Sequence, residues 1–141
     1  MTARVFVDCD VILDLLLARQ PHFPASTRLF MLFQEGSLEG YVSPLVFSNL
    51  FYVLRKAMPS REAIEALEKL KRLVGILSVD GAIVDRALGS SFTDFEDAIQ
   101  HFTALTHGLD ALVTRNKRDY RVAELPIFNA EECIHWLEAN G

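Results

Sequence analysis

The stretch Val5–Leu17, VFVDCDVILDLLL, decides the architecture. With Arg4 in front, Arg4–Asp8 is a short, valine-rich run that stops at acids, and it reads as a buried strand. Val11–Ala18 (VILDLLLA) then reads as a strongly apolar helix, broken before Pro21. A strand ending in carboxylates beside a helix start is the usual place for a ligand site in an open parallel sheet. Asp8 and Asp10 are therefore the first candidate functional residues.

Outward from there, strands and helices alternate. Pro24–Glu35 reads as an amphipathic helix closed by Gly36, and Gly40–Ser43 as a very short second strand. Pro44 suits the first turn of the next helix, which runs to about Ala57. Its residues 45–54 are apolar nearly all round, so that helix needs burial on more than one side, in the centre of the protein or at a subunit interface. Asn49 is a polar exception on it. Ser60 is expected to cap a helix over Arg61–Val74 with a solvated, ion-paired face. Gly75–Val79 reads as the third strand, Asp80 to Leu88 as a helix, Thr93–His107 as another, Leu109–Thr114 as the fourth strand and Pro126–Phe128 as the fifth. Glu131–Asn140 ends the chain as a helix with Cys133, Trp136 and Leu137 inward. This pattern predicts one α/β domain over residues 1–141: three layers, a central parallel sheet of four to five strands, helices on both faces and right-handed crossovers.

The second informative stretch is Thr93–Gln100, TDFEDAIQ. Thr93 is expected to cap its helix, with Glu96 reaching back in a capping box. Asp94 and Asp97 stand three apart on one helical face, where like charges repel unless the helix dipole or a cation offsets them. In a parallel sheet the C-terminal strand ends share one edge, so Asp8 and Asp10 lie beside Thr114, Asn116 and Asp119. The helix Asp80–Leu88 leaves the next helix free to start at that edge, which would bring Asp97 there too. Carboxylates gathered with no lysine among them are protonated or hold a hard cation, and oxygen donors suit Mg²⁺ or Mn²⁺. Such a metal serves phosphodiester hydrolysis well. Arg115, Lys117, Arg118 and Arg121 lie beside this centre, as phosphate contacts or as solvated loop charge. His101 and His107 read as surface residues.

Composition narrows the function. Half of the 141 residues are hydrophobic, enough for a real core, and the formal charge of −5 argues against a general polyanion binder. Any nucleic-acid role then rests on a local site or a metal bridge. Two cysteines, Cys9 and Cys133, show no metal spacing and read as reduced thiols. With no run long enough to span a membrane and no targeting pattern, a soluble, cytoplasmic protein is expected.

VFVDCDVILDLLL, YVSPLVFSNLFYVLRK, DFEDAIQ, and DALVTRNKRDY followed by LPIF, in this order and spacing, resemble the PIN domain family. These are metal-dependent ribonucleases that include the VapC-like toxins of bacterial toxin–antitoxin pairs. The resemblance implies an RNA substrate, with Asp8 as first metal-binding acid, Asp97 as third and Asn116 at the fourth position. Asp119 follows in the family's pattern, Thr114 orients the group, Asp10 matches an asparagine or aspartate, and Asp94 is an accessory ligand. The family's glutamate on the helix after the second strand falls at Asn49, an uncharged replacement that puts activity in doubt more than fold. The resemblance also makes an antitoxin protein a possible partner, and the apolar helix 45–54 favours a homodimer or a groove for an antitoxin helix. Two other readings compete. A PIN-fold module would bind RNA or protein without cutting. A haloacid-dehalogenase-type phosphatase would use Asp8 as nucleophile, but needs its lysine and acidic pair after Thr114, whereas DFED precedes it. A receiver-like phosphoacceptor lacks the lysine after a fifth strand.

Overall fold

The structure, a computed structural model, describes residues 1–140. In chain order the elements are β1 (Arg4–Val7), α1 (Cys9–Leu16), α2 (Phe23–Glu35), β2 (Glu39–Val42), α3 (Pro44–Leu54), α4 (Ser60–Lys71), β3 (Val74–Ile76), α5 (Gly81–Leu88), α6 (Phe95–Thr106), β4 (Ala111–Val113), β5 (Ile127–Phe128) and α7 (Ala130–Asn140), with a 3₁₀ turn at Lys117–Tyr120. The five strands form one sheet in the order β3-β2-β1-β4-β5, and all neighbours are parallel.

β1 is the middle strand. Val5, Phe6 and Val7 are fully buried, as are Ala111, Leu112 and Val113 of β4 beside it. Unbroken apolar runs are what strands covered on both faces require. α1 to α4 and α7 pack as a connected set, while α5 and α6 pack on each other and α6 lies against β1 and β4. A second small core of Ile83, Ala87, Ala98, Ile99 and Phe102 joins α5 to α6. From β1 the chain moves outward to β2 and β3, then returns to place β4 on the other side of β1. That reversal opens a crevice at the C-terminal ends of β1 and β4, where such sheets bind ligands.

Pro44 opens α3, and Gly36 closes α2 in the left-handed region at φ 80°. Several local expectations need correction. α6 is capped by Asp94, whose carboxylate accepts from the Asp97 N–H at 3.0 Å, and not by Thr93. Glu96 accepts from Gln100 one turn on at 3.4 Å, so no capping box forms. Ser60 is the first residue of α4, with Pro59 at the cap position. α3 stops at Leu54, three residues earlier than expected. It buries the stripe Val46, Leu50 and Leu54 completely, while Tyr52 is 66% exposed. His101 is wholly buried between Phe92 and Phe102, not at the surface. Its Nε2 accepts from the Glu124 N–H at 2.9 Å, and burial lowers its pKa. His107 stays at the periphery, its Nε2 at 2.9 Å from the Ser78 carbonyl. Cys9 and Cys133 are free thiols, and no helix among the described residues is long and apolar enough to cross a membrane.

Candidate active site

Asp8 does two things at once. It follows β1 in extended conformation and caps α1, its Oδ1 accepting from the Cys9 N–H at 2.8 Å. That leaves Oδ2 for the crevice. Thr114, fully buried after β4, donates its hydroxyl to Asp8 Oδ2 at 2.9 Å and lies 3.3 Å from Asp10 Oδ2. The Arg115 N–H also donates to Asp10 Oδ2, at 3.1 Å. Across the crevice, the Tyr120 hydroxyl lies 3.1 Å from Asp97 Oδ1 and 3.4 Å from Asp8 Oδ2. The result is one row of side chains: Asp10, Thr114, Asp8, Tyr120, Asp97. It holds three carboxyls and two hydroxyls, and no lysine or arginine side chain is bonded into it.

Electrostatics follow from that row. Burial pushes the Asp8 carboxyl up to about 6, helped by the charge on Asp10 and opposed by the hydrogen bond from Thr114. Asp97 is raised to about 7 by burial, then by the charges of Asp8 and Asp94, with a smaller push from Asp119. Burial raises Asp10 as well. Each hydroxyl has one proton to offer two carboxyls, so charge here is under-compensated and protons are retained near neutrality.

Asp94 and Asp119 thus stand close enough to Asp97 to act on its charge. Asn116 donates from its amide to Asp119 Oδ2 and from its backbone to Thr114 Oγ1 at 3.0 Å, which ties the loop after β4 to the row. Asn49 is half-buried on α3, its Nδ2 is enclosed without a partner, and no hydrogen bond joins it to the acids. The basic loop divides. Arg115 is committed to the fully buried Asp14, with Nε at 2.7 Å and Nη2 at 3.1 Å from its oxygens. Lys117 pairs with Glu132 at 2.9 Å. Arg118 and Arg121 are exposed beside Asp119 and form no ion pair among the described residues. Two features were missed in the sequence. Tyr120 hid in a polar run without periodicity. The Asp14–Arg115 pair had a signal, since a lone acid inside an apolar helix demands a partner.

The donor set fits a hard cation. Every polar side-chain atom in the row is oxygen, and Asp10 Oδ1 is buried without a partner among the described residues. Among the described residues no group of three or more His, Cys, Asp or Glu is gathered closely enough to hold an ion. Two carboxylates are nonetheless the usual protein share of a Mg²⁺ site, with waters and substrate phosphates completing it.

An α/β domain with an acid row at the switch point of its parallel sheet is thereby defined. The chain belongs to the PIN domain family, whose model matches residues 4–118. Comparison with curated protein sequences finds no match. Among solved structures it is similar to VapBC2 from Rickettsia felis, bound there to a promoter DNA fragment. The TM-score is 0.68 at 15% identity, covering 89% of this chain and 98% of that one. FitAcB from Neisseria gonorrhoeae gives 0.67 at 19%, covering 90% and 98%. The Mycobacterium tuberculosis toxin VapC20, described as cleaving the sarcin–ricin loop, gives 0.62 at 19%, covering 77% and 86%. At these identities the likeness is one of fold.

Proposed function

We propose that this protein is a Mg²⁺- or Mn²⁺-dependent endoribonuclease and the toxin of a toxin–antitoxin pair. The observation that carries the reading is the row of three carboxyls without a cationic side chain, at the edge where the sheet binds ligands. Membership of the PIN domain family and the likeness to VapC and FitB toxins support it.

Asp8 and Asp97 are the residues to hold the ion, with Asp10 and the Asn116–Asp119 pair beside them and Asp94 acting on Asp97 by its charge. When bound, a divalent ion would supply charge stabilisation to a phosphodiester and acidify water. Thr114 fixes the Asp8 oxygen through its hydroxyl. Tyr120 holds Asp8 and Asp97 at a common point and keeps bulk water from their shared side. Burial and neighbouring charge raise both acids, and a bound cation would take the place of their protons. Arg118 and Arg121, free of ion pairs among the described residues, are the side chains available to RNA phosphates. Lys117 must first give up Glu132, and Arg115, held to Asp14 through Nε and Nη2, has only the rest of its guanidinium to offer. An antitoxin partner, a homodimer and a cytoplasmic location belong to the same proposal.

Cleavage of a structured RNA pool with Mg²⁺, Mn²⁺ or chelator, beside Asp97→Asn, tests it. Fragments that need metal and Asp97 are expected. RNA binding without fragments would replace the enzyme by a binding module, with Asn49 the natural reason.

A further inference from the structure

A cavity of about 430 Å³ opens at the same sheet edge, between α1, the start of α2 and the start of α7. We propose that it seats one base of the RNA next to the scissile phosphate, a purine and guanine before adenine; this rests on the ribonuclease reading.

Its size is within the roughly 300–1,000 Å³ of pockets that seat small ligands. Val11, Pro21 and Ala25 give it apolar walls. The link to the acid row is one residue long. Arg115 donates its backbone N–H to Asp10 while its guanidinium lines the cavity. Asp14 takes two of that guanidinium's donors and so fixes its plane, leaving Nη1 without a partner among the described residues. Ser26 lines the cavity at 1% exposure. At the start of α7, the Asn129 side chain takes the Glu132 N–H and the Asn129 carbonyl takes the Cys133 N–H. The N–H groups of Ala130 and Glu131 remain, and both residues line the cavity.

Charge decides the ligand. Arg115 and Asp14 cancel, and Glu131 adds a negative charge, so the cavity does not favour a bare phosphate. Its surplus is in neutral-ligand donors: a fixed guanidinium, two backbone N–H groups and a hydroxyl. Guanine presents O6 and N7 as adjacent acceptors, the commonest partner of arginine in base recognition. Its N1–H and amino group suit the Glu131 carboxylate, for which adenine offers no matching pair of donors. Pyrimidines leave much of the apolar wall uncovered.

The test is a ¹⁵N-resolved NMR titration, in chelator, with GMP, AMP, CMP, UMP and inorganic phosphate as separate probes. Saturable shifts at Ser26, Ala130 and Glu131 are expected, at least fivefold tighter for GMP than for CMP or UMP. They should weaken at least tenfold in Ala25→Phe, which fills the cavity, and about threefold in Ser26→Ala, which keeps its shape. Equal response to phosphate and GMP, or no nucleotide response at these residues, overturns the proposal. Mapping RNA ends separates this from the parent reading. A guanine preference beside the wild-type cut that is lost in the fragments left by Ser26→Ala or Ala25→Phe supports the pocket, and an unchanged preference overturns it. If the wild type cuts no RNA, the ribonuclease reading fails and the nucleotide titration still decides the cavity.

Discussion

Asp97→Asn is expected to make the protein more stable while removing the proposed ribonuclease activity. Asp97 rises from an ordinary 3.8 to about 7, and Asp8 to about 6, because both carboxyls are desolvated and each acid has a charged neighbour. The folded protein therefore binds protons more tightly than the unfolded chain. The stabilisation from these groups is complete below about pH 4 and is lost as the pH rises through about 6 to 7. For Asp97 the change corresponds to about 4 kcal/mol between protonation states. The side chain is half-buried, and solvent screening reduces this to roughly 2 kcal/mol. Asparagine keeps the shape and an acceptor for Tyr120 but carries no charge to repel Asp8. At pH 8, without metal, Asp97→Asn is expected to gain about 2 kcal/mol in urea denaturation, or roughly 5–10 °C in Tm for a domain of this size. At pH 4.5 folded wild type carries a neutral Asp97 as the variant carries a neutral Asn, and the difference is expected to shrink below about 0.5 kcal/mol. A variant less stable than wild type at pH 8, or a gap independent of pH, would refute the reasoning.

Three further outcomes follow from the same geometry. Tyr120→Phe keeps the ring against Phe92 but loses the hydroxyl between the acids; the midpoint of Asp97 in a ¹³C NMR titration should move further up, and stability at pH 8 should fall by about 1 kcal/mol. Arg115→Ala strands the fully buried Asp14, and a loss of about 3–5 kcal/mol is expected in chemical denaturation. Asp14→Leu with Arg115→Met should recover most of it, and failure to do so would mean the pair matters for more than its charges. Saturating Mg²⁺ should raise the Tm more at pH 8 than at pH 5.5, because the ion competes with protons for Asp8 and Asp97; an equal rise at both would point to binding elsewhere.

The order of elements was legible because each signal was local. Valine-rich runs stopping at acids gave β1 and its edge, Pro44 and Gly36 marked helix ends, and TDFEDAIQ marked the start of α6. The residues of the acid row that sequence could name were those beside strand ends or in a helix's first turn: Asp8, Asp10, Asp97 and Thr114. What it could not name depended on long-range packing. Tyr120 reaches Asp8 across 112 positions from a 3₁₀ turn with no periodic pattern. Thr93 and Asp94 are both good caps by residue type, and only backbone geometry selected Asp94. His101 was misread because a histidine on an acidic helix looks solvated, although QHFTAL has the density of apolar residues of a buried turn. Arg115 was read as a phosphate contact or as solvated loop charge, and its pairing with Asp14 inside α1 was not foreseen.

Binding of Mn²⁺ followed by electron paramagnetic resonance, in wild type, Asp8→Asn and Asp97→Asn at pH 8, tests the account most directly. A saturable site in the wild type that weakens at least tenfold in both variants, with Mg²⁺ as competitor, is the predicted result. Binding of equal strength in all three proteins would contradict the assignment of this acid row as the metal centre.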